Sequence, residues 1–152
     1  MNKVLFVCTG NTCRSVLAHR YAALLAGQQG LPLEFSSAGL AADKDIPQPA
    51  IISELLRKEG VKNFRHVPAP LTAGEVRGAD LILAMTAAQK DSIISGYPDA
   101  AAKTRTLAEY AGFGSEDIAD PFGRDDLFYF SVFKFIKAAV SASLERLKKE
   151  VK

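Results

Sequence analysis

Apolar residues follow two rhythms along this chain. Short unbroken runs, Val4-Leu5-Phe6-Val7-Cys8 and Leu81-Ile82-Leu83-Ala84-Met85, read as strands, because a strand covered on both faces loses the apolar–polar alternation of a half-exposed one. Between them apolar positions recur at steps of three and four: Val16, Leu17, Tyr21, Leu24 and Leu25, then Ile51, Ile52, Leu55 and Leu56. That rhythm is helical. The pattern predicts strands over residues 3–8, 33–37, 79–85 and about 104–107. It predicts helices from Ser15 to about Gly27, from Pro49 to Gly60, and from a Thr86 N-cap to about Gly96. A long last helix runs from Asp125 or Asp126 to Val151, its stripe formed by Phe133, Ile136, Val140, Leu144, Leu147 and Val151.

Strands alternating with helices imply right-handed crossovers. The expected fold is α/β: a twisted parallel sheet of about four strands with helices on both faces, Rossmann-like in outline. A length of 152 residues suits one domain spanning 1–152, with no internal repeat or low-complexity linker. Ligands of such sheets bind beyond the carboxyl ends of the strands, which is where Thr9 to Arg14 should lie.

Composition narrows the function. Apolar residues make up 48% and charged residues 24%, ordinary usage for a folded domain. Nineteen Lys and Arg against seventeen Asp and Glu leave a formal charge of +2, so recognition of nucleic acid is not expected and any anion site must be local. The apolar runs fall far short of the roughly 18 residues that suggest a membrane span, and Thr9-Gly10-Asn11 interrupts the first one before a leader could form. Two cysteines five positions apart, Cys8 and Cys13, suit chemistry in a reducing cytoplasm better than stapling. With only His19 and His66 besides, zinc-ligand spacing is missing, and neither a metal nor a cofactor is expected.

The chemistry concentrates in Cys8-Thr9-Gly10-Asn11-Thr12-Cys13-Arg14-Ser15. A strand delivers a Cys into a loop, and a helix begins about seven residues later. Successive backbone N–H groups in such a turn curl into an anion-binding nest, and the helix N-terminus adds its positive end. Arg14 supplies a planar fork for two phosphoryl oxygens, while Gly10 and Asn11 are types that tolerate positive φ. The same field favours the thiolate of Cys8, making it a nucleophile at neutral pH. A bare Cys-x5-Arg arises by chance, and Cys8 could be no more than a small buried side chain at a strand end; the strand before, the helix after and the Gly between are what favour catalysis. No Gly-Lys-Ser or Gly-Lys-Thr is present, so the loop is not a nucleotide P-loop. A thiolate that displaces phosphate needs an acid for the leaving atom, and Asp120 in Asp120-Pro121-Phe122-Gly123 is the candidate, with Phe122 as an aromatic wall. On its own, without the Cys8–Arg14 loop, that segment reads better as an ordinary Asp-Pro turn.

Val4 to Ser15, Ser37-Ala38-Gly39, Ala79 to Thr86 and Asp120 to Gly123 together resemble the low-molecular-weight protein tyrosine phosphatases over essentially the whole chain. The likeness is greatest to the bacterial protein-arginine phosphatase branch, which resembles this chain in Thr12, where tyrosine-specific members carry an apolar residue, and around His66 to Thr72. The resemblance implies Cys8 as nucleophile, Arg14 as phosphate clamp and Asp120 as general acid and then base. It implies that Thr9, Gly10, Asn11, Thr12, Cys13, Arg14, Ser15 and Phe122 contact the phosphoryl group or the substrate. Asn11, Ser15, Ser37 and His66 are implied as a supporting polar network. It further implies that Cys8 and Cys13 form a reversible disulfide on oxidation. His19 is expected to be packed or on the surface.

Two positions depart from the family pattern: Val16 stands where Pro is common, and Arg124 follows Gly123 where the arginine branch often has a second Gly. The expected activity is hydrolysis of phosphoarginine on proteins by a cytoplasmic, monomeric enzyme. Phosphotyrosine is the alternative substrate, and a phosphoprotein-binding module without turnover is the rival from another class. Thr12 is expected to face the entering substrate rather than the core.

Overall fold

A computed structural model describes residues 2–150. In chain order the elements are β1 (Lys3–Cys8), α1 (Arg14–Gln28), β2 (Glu34–Gly39), α2 (Ala50–Glu59), α3 (Ala73–Gly78), β3 (Leu81–Ala84), α4 (Ala87–Gly96), a 3-10 segment (Pro98–Lys103), β4 (Thr104–Thr106), α5 (Leu107–Tyr110) and α6 (Asp126–Glu150). The four strands form one parallel sheet in the order β2-β1-β3-β4. This is the expected α/β fold. Strand β2 starts one residue late and extends through Gly39, where it pairs with the end of β1, Cys8 opposite Gly39. The final residue of the expected stripe on α6, Val151, lies outside the described residues.

Because successive strand side chains point to opposite faces, β1 feeds two cores. Val4, Phe6 and Cys8 pack with α1, α2 and α6, whereas Leu5 and Val7 pack with Ile82, Val76 and Ile93 on the other side. Covering both faces explains why β1 and β3 read as continuous apolar runs. By length and composition α6 could cross a membrane, yet Phe133, Ile136, Val140, Leu144 and Leu147 are buried in the first of these cores.

Helix starts divide into two kinds. α3, α4 and α5 each open with a reciprocal capping box, Thr72 with Glu75, Thr86 with Gln89, and Thr106 with Glu109. α1 opens without a side-chain cap. Its first N–H groups therefore remain available to a ligand. α3 and α5, with six and four residues, are too short to give a periodic signal, which is why the apolar pattern misses them.

Candidate active site

The loop from Cys8 to Arg14 sits at the carboxyl end of β1, the central-strand position that the fold favours for ligands. Asn11 is its keystone. The residue is completely buried and holds φ at 54°, a conformation few non-glycine residues adopt. Each of its polar groups has a partner. Its backbone N–H points to Cys8 Sγ at 3.3 Å, and its carbonyl accepts from His66 Nε2 at 2.7 Å. Its side-chain oxygen accepts from the Ala69 N–H at 3.0 Å, leaving Nδ2 to donate to Ser15 Oγ at 2.8 Å. Since Ser15 Oγ receives that bond, its own proton is free to point at Cys8 Sγ, 2.9 Å away. A hydroxyl donor and a backbone donor thus converge on one sulfur. Gly10, expected to share the positive φ, has no such conformation; the loop needs it at Asn11 alone.

Close packing beneath the loop comes from Gly39. A Cβ at that position would lie 2.7 Å from the Thr9 carbonyl oxygen and 3.0 Å from Asn11 Cβ. The Gly39 N–H and carbonyl also pair with Ala69 and Leu71, tying the His66-bearing segment to β2.

Arg14 is buried, with 7% of its side chain exposed, and its guanidinium donates to the Ile118 carbonyl at 2.9 Å. A second nitrogen lies 3.6 Å from Asp120 Oδ2. This leaves the other donors of the fork for an oxyanion. Asp120 is half-exposed, and its other oxygen accepts from the Phe122 N–H at 3.0 Å, closing the Asp-Pro turn. Cys8, Thr9, Gly10, Thr12, Cys13, Arg14, Asp120 and Phe122 line one cleft of about 240 Å³, together with Ala41, Asp43 and Ile46. Thr12 faces that cleft as expected, its hydroxyl 3.6 Å from Cys13 Sγ.

Not every expected supporting residue joins the network directly. Ser37 hydrogen-bonds His19 Nδ1 at 3.1 Å rather than Asn11, so His19 is a packed residue behind the loop. Burial, with the charge of Arg20 next in weight, pushes the His19 pKa down to about 4. His66 is lowered too, mainly by burial and against the opposing bond to Asn11. Both imidazoles are neutral at pH 7, and Nε2 of His66 must carry the proton it gives to Asn11. Cys13 is raised, by burial above all, so it is a thiol at neutral pH.

Three contributors escaped the sequence. Gln48 Nε2 donates to the Thr12 carbonyl at 3.0 Å, and nothing in the local pattern marks it. Gln89 Nε2 donates to Thr9 Oγ1 at 3.0 Å while its oxygen serves the α4 capping box; the Thr86-x-x-Gln89 spacing was the available signal. Tyr129 brings its hydroxyl to 3.9 Å from Cys13 Sγ. Of the two departures, Val16 is fully buried in α1, and Arg124 lays its guanidinium over the Phe128 ring at 4.1 Å, away from the cleft lining.

A thiol with two donors on it, a buried guanidinium beside it and a carboxylic acid across the cleft define a cysteine-dependent phosphate-transfer site. The family model for low molecular weight phosphotyrosine protein phosphatase matches residues 3–152. The chain belongs to that family and is a protein phosphatase of the low-molecular-weight type. Among its relatives, a protein-arginine-phosphatase of Bacillus subtilis is 35% identical over 150 residues, covering 98% of this chain and 96% of the relative. One from Geobacillus stearothermophilus is 34% identical over 148 residues, 97% of each. A solved arginine phosphatase whose active-site cysteine is replaced by a phosphorylated serine superposes with a TM-score of 0.92 at 32% identity, over 98% of this chain and 97% of that one.

Proposed function

We propose that this single-domain protein removes phosphate from phosphoarginine on proteins, with Cys8, Arg14 and Asp120 as its catalytic residues. The observation that carries the substrate is Thr12: it lines the same cleft as Cys8 and brings a hydroxyl to the wall beside Cys13, where it can act as acceptor for a guanidinium N–H. Support comes from the two arginine-specific relatives and from the solved relative that carries phosphate on the residue replacing its active-site cysteine.

The chemistry closes without a cofactor. Cys8 thiolate attacks phosphorus, the P–N bond breaks, and Asp120 gives its proton to the departing guanidine nitrogen. Arg14 and the uncapped N–H groups of α1 hold the phosphoryl oxygens as charge shifts onto them. Water then attacks the phosphocysteine, Asp120 takes its proton, and phosphate leaves with Cys8 restored as thiolate. Cys13, a thiol lining the same cleft, is placed by this reading as the partner for an oxidised Cys8. The reading includes a cytoplasmic monomer acting on phosphorylated proteins, with no role for nucleic acid or membrane.

Thr12→Ile tests the substrate. A site that hydrogen-bonds its substrate rejects an analogue without the partner strongly, whereas an apolar wall discriminates by about 1–3 kcal/mol. The expected outcome is a lower kcat/KM for phosphoarginine peptide and a higher one for phosphotyrosine peptide. A wild type that already prefers phosphotyrosine, or a variant that lowers both in proportion, replaces phosphoarginine by phosphotyrosine, for which Phe122 supplies the aromatic wall.

A further inference from the structure

Part of the cleft wall comes from the segment that follows β2, which is tied to the anion loop at both ends. The Leu40 and Ala41 N–H groups donate to the Cys8 and Thr9 carbonyls at 2.9 Å each, and Gln48 Nε2 donates to the Thr12 carbonyl at 3.0 Å. Between those ties Asp43 opens a turn. Its backbone carbonyl accepts from the Ile46 N–H at 3.1 Å, and its Oδ1 accepts from the Asp45 N–H at 2.9 Å. A side chain bonded to its own backbone two residues on is held in place along with the turn. The turn engages one carboxylate oxygen of Asp43 and leaves the other for a ligand. Asp43 lines the same cleft as Cys8, Thr12 and Asp120.

Arg14, Asp43 and Asp120 are the charged side chains of the cleft lining, so acid outnumbers base in a site that takes a phosphoryl dianion. Asp120 has a part in the proposed chemistry, whereas Asp43 has none, and a carboxylate beside an incoming dianion opposes its entry. Such a charge is useful only when the rest of the substrate is positive. We infer that Asp43 is a specificity-determining residue: its unengaged carboxylate oxygen accepts a hydrogen bond from the guanidinium of phosphoarginine and disfavours phosphorylated side chains that carry no positive charge. The inference rests on the phosphoarginine reading. Phosphoarginine carries N–H donors and a positive charge next to its phosphate, and a carboxylate takes such donors in a charge-assisted bond. Phosphotyrosine joins its phosphate to an uncharged ring, which offers Asp43 no donor. One residue therefore discriminates from both sides, by attraction to one substrate and repulsion of the other.

The experiment compares phosphoarginine and phosphotyrosine in peptides of otherwise identical sequence. Asp43→Asn removes the charge, while its amide oxygen can still accept from the Asp45 N–H and keep the turn. For phosphoarginine, kcat/KM should fall about fivefold, chiefly through KM, because the contact forms before the P–N bond breaks. For phosphotyrosine it should rise about twofold as the repulsion is relieved. The ratio of the two thus moves about tenfold. Asp43→Lys sets a like charge against the guanidinium and should move the ratio further in the same direction, about thirtyfold or more. Asp45→Asn removes the same charge two residues on, outside the cleft lining, and should move the ratio less than about twofold. Equal changes for both substrates, no change in the ratio, or the same shift from Asp45→Asn overturns the role of Asp43. Failure of the underlying reading looks different: the wild type itself then turns over the phosphotyrosine peptide faster than the phosphoarginine peptide.

Discussion

The two halves of the site are built to opposite standards. From Cys8 to Ser15, Asn11 and Ser15 are fully buried, Asn11 satisfies every polar group, and Gly39 leaves no room beneath. From Asp120 to Arg124 only Pro121 is buried, and the turn is held by Asp120 on the Phe122 N–H, the Arg124 N–H on the Pro121 carbonyl, Arg124 stacked on Phe128, and Gly123 at a φ of 79°. The contrast follows from the work each does. A phosphoryl group has one shape, and a rigid cradle costs no reorganisation when charge develops on it. Leaving groups differ, and an acid on a half-exposed turn can meet them without disturbing the cradle. On the proposed reading, rigidity serves the phosphate side and the exposed turn serves the leaving group, with Thr12 the cradle residue assigned a part in substrate choice.

Substitutions at the two reactive groups break the site in different ways. Cys8→Ser should lower turnover by more than about a thousandfold, since it removes the nucleophile, while phosphate or vanadate binding persists because Arg14 and the backbone N–H groups remain. Single-turnover kinetics with calorimetric binding decides it; activity above a few per cent of wild type would sink the nucleophile assignment. Asp120→Asn should cost about 10²–10⁴-fold with poor leaving groups and far less with p-nitrophenolate. A leaving-group series that falls uniformly would contradict an acid there. In short, the buried half should fail for every substrate and the exposed half selectively.

Legibility in the sequence followed the same division. The cradle was readable because its chemistry is contiguous: Cys8 to Ser15 lie in one stretch between a strand and a helix, and each residue type states its job. β1 and β3 were readable because their apolar runs are unbroken, and α1 and α6 because their helical patterns are long. What stayed hidden depends on tertiary contacts. Gln48 reaches Thr12 across 36 positions, Tyr129 reaches Cys13 across 116, and Ile118 receives Arg14 across 104. No local rhythm encodes such pairings. Ser37 illustrates the intermediate case: its neighbourhood was foreseen, but its partner is His19, while the Asn11 side chain bonds Ser15 and the Ala69 N–H.

The smallest expected effect concerns the support behind the rigid half. His19 on α1 bonds Ser37 on β2, and its pKa is pushed from 6.5 down to about 4, first by burial and then by the nearby charges of Arg20 and His66. Between those two values the unfolded chain binds a proton that the native state refuses. The unfolded state then holds more protons, so stability rises with pH across the window and is lost as pH falls from 6.5 towards 4. At about 1.4 kcal/mol for each unit, the full loss is at most about 3 kcal/mol. His66, also lowered, adds to the loss with the same sign. Asp80, Glu109 and Glu150 are held below their ordinary values by hydrogen bonds, so their contributions disappear only at more acid pH and leave the upper part of the window to the histidines. Urea midpoints measured from pH 7 to 5 should therefore fall more steeply for wild type than for His19→Gln, whatever the variant's starting stability. Parallel slopes would mean that His19 is not held neutral behind the cradle. A shallower slope in the variant would show that the rigid half of the site is the one that acid loosens first.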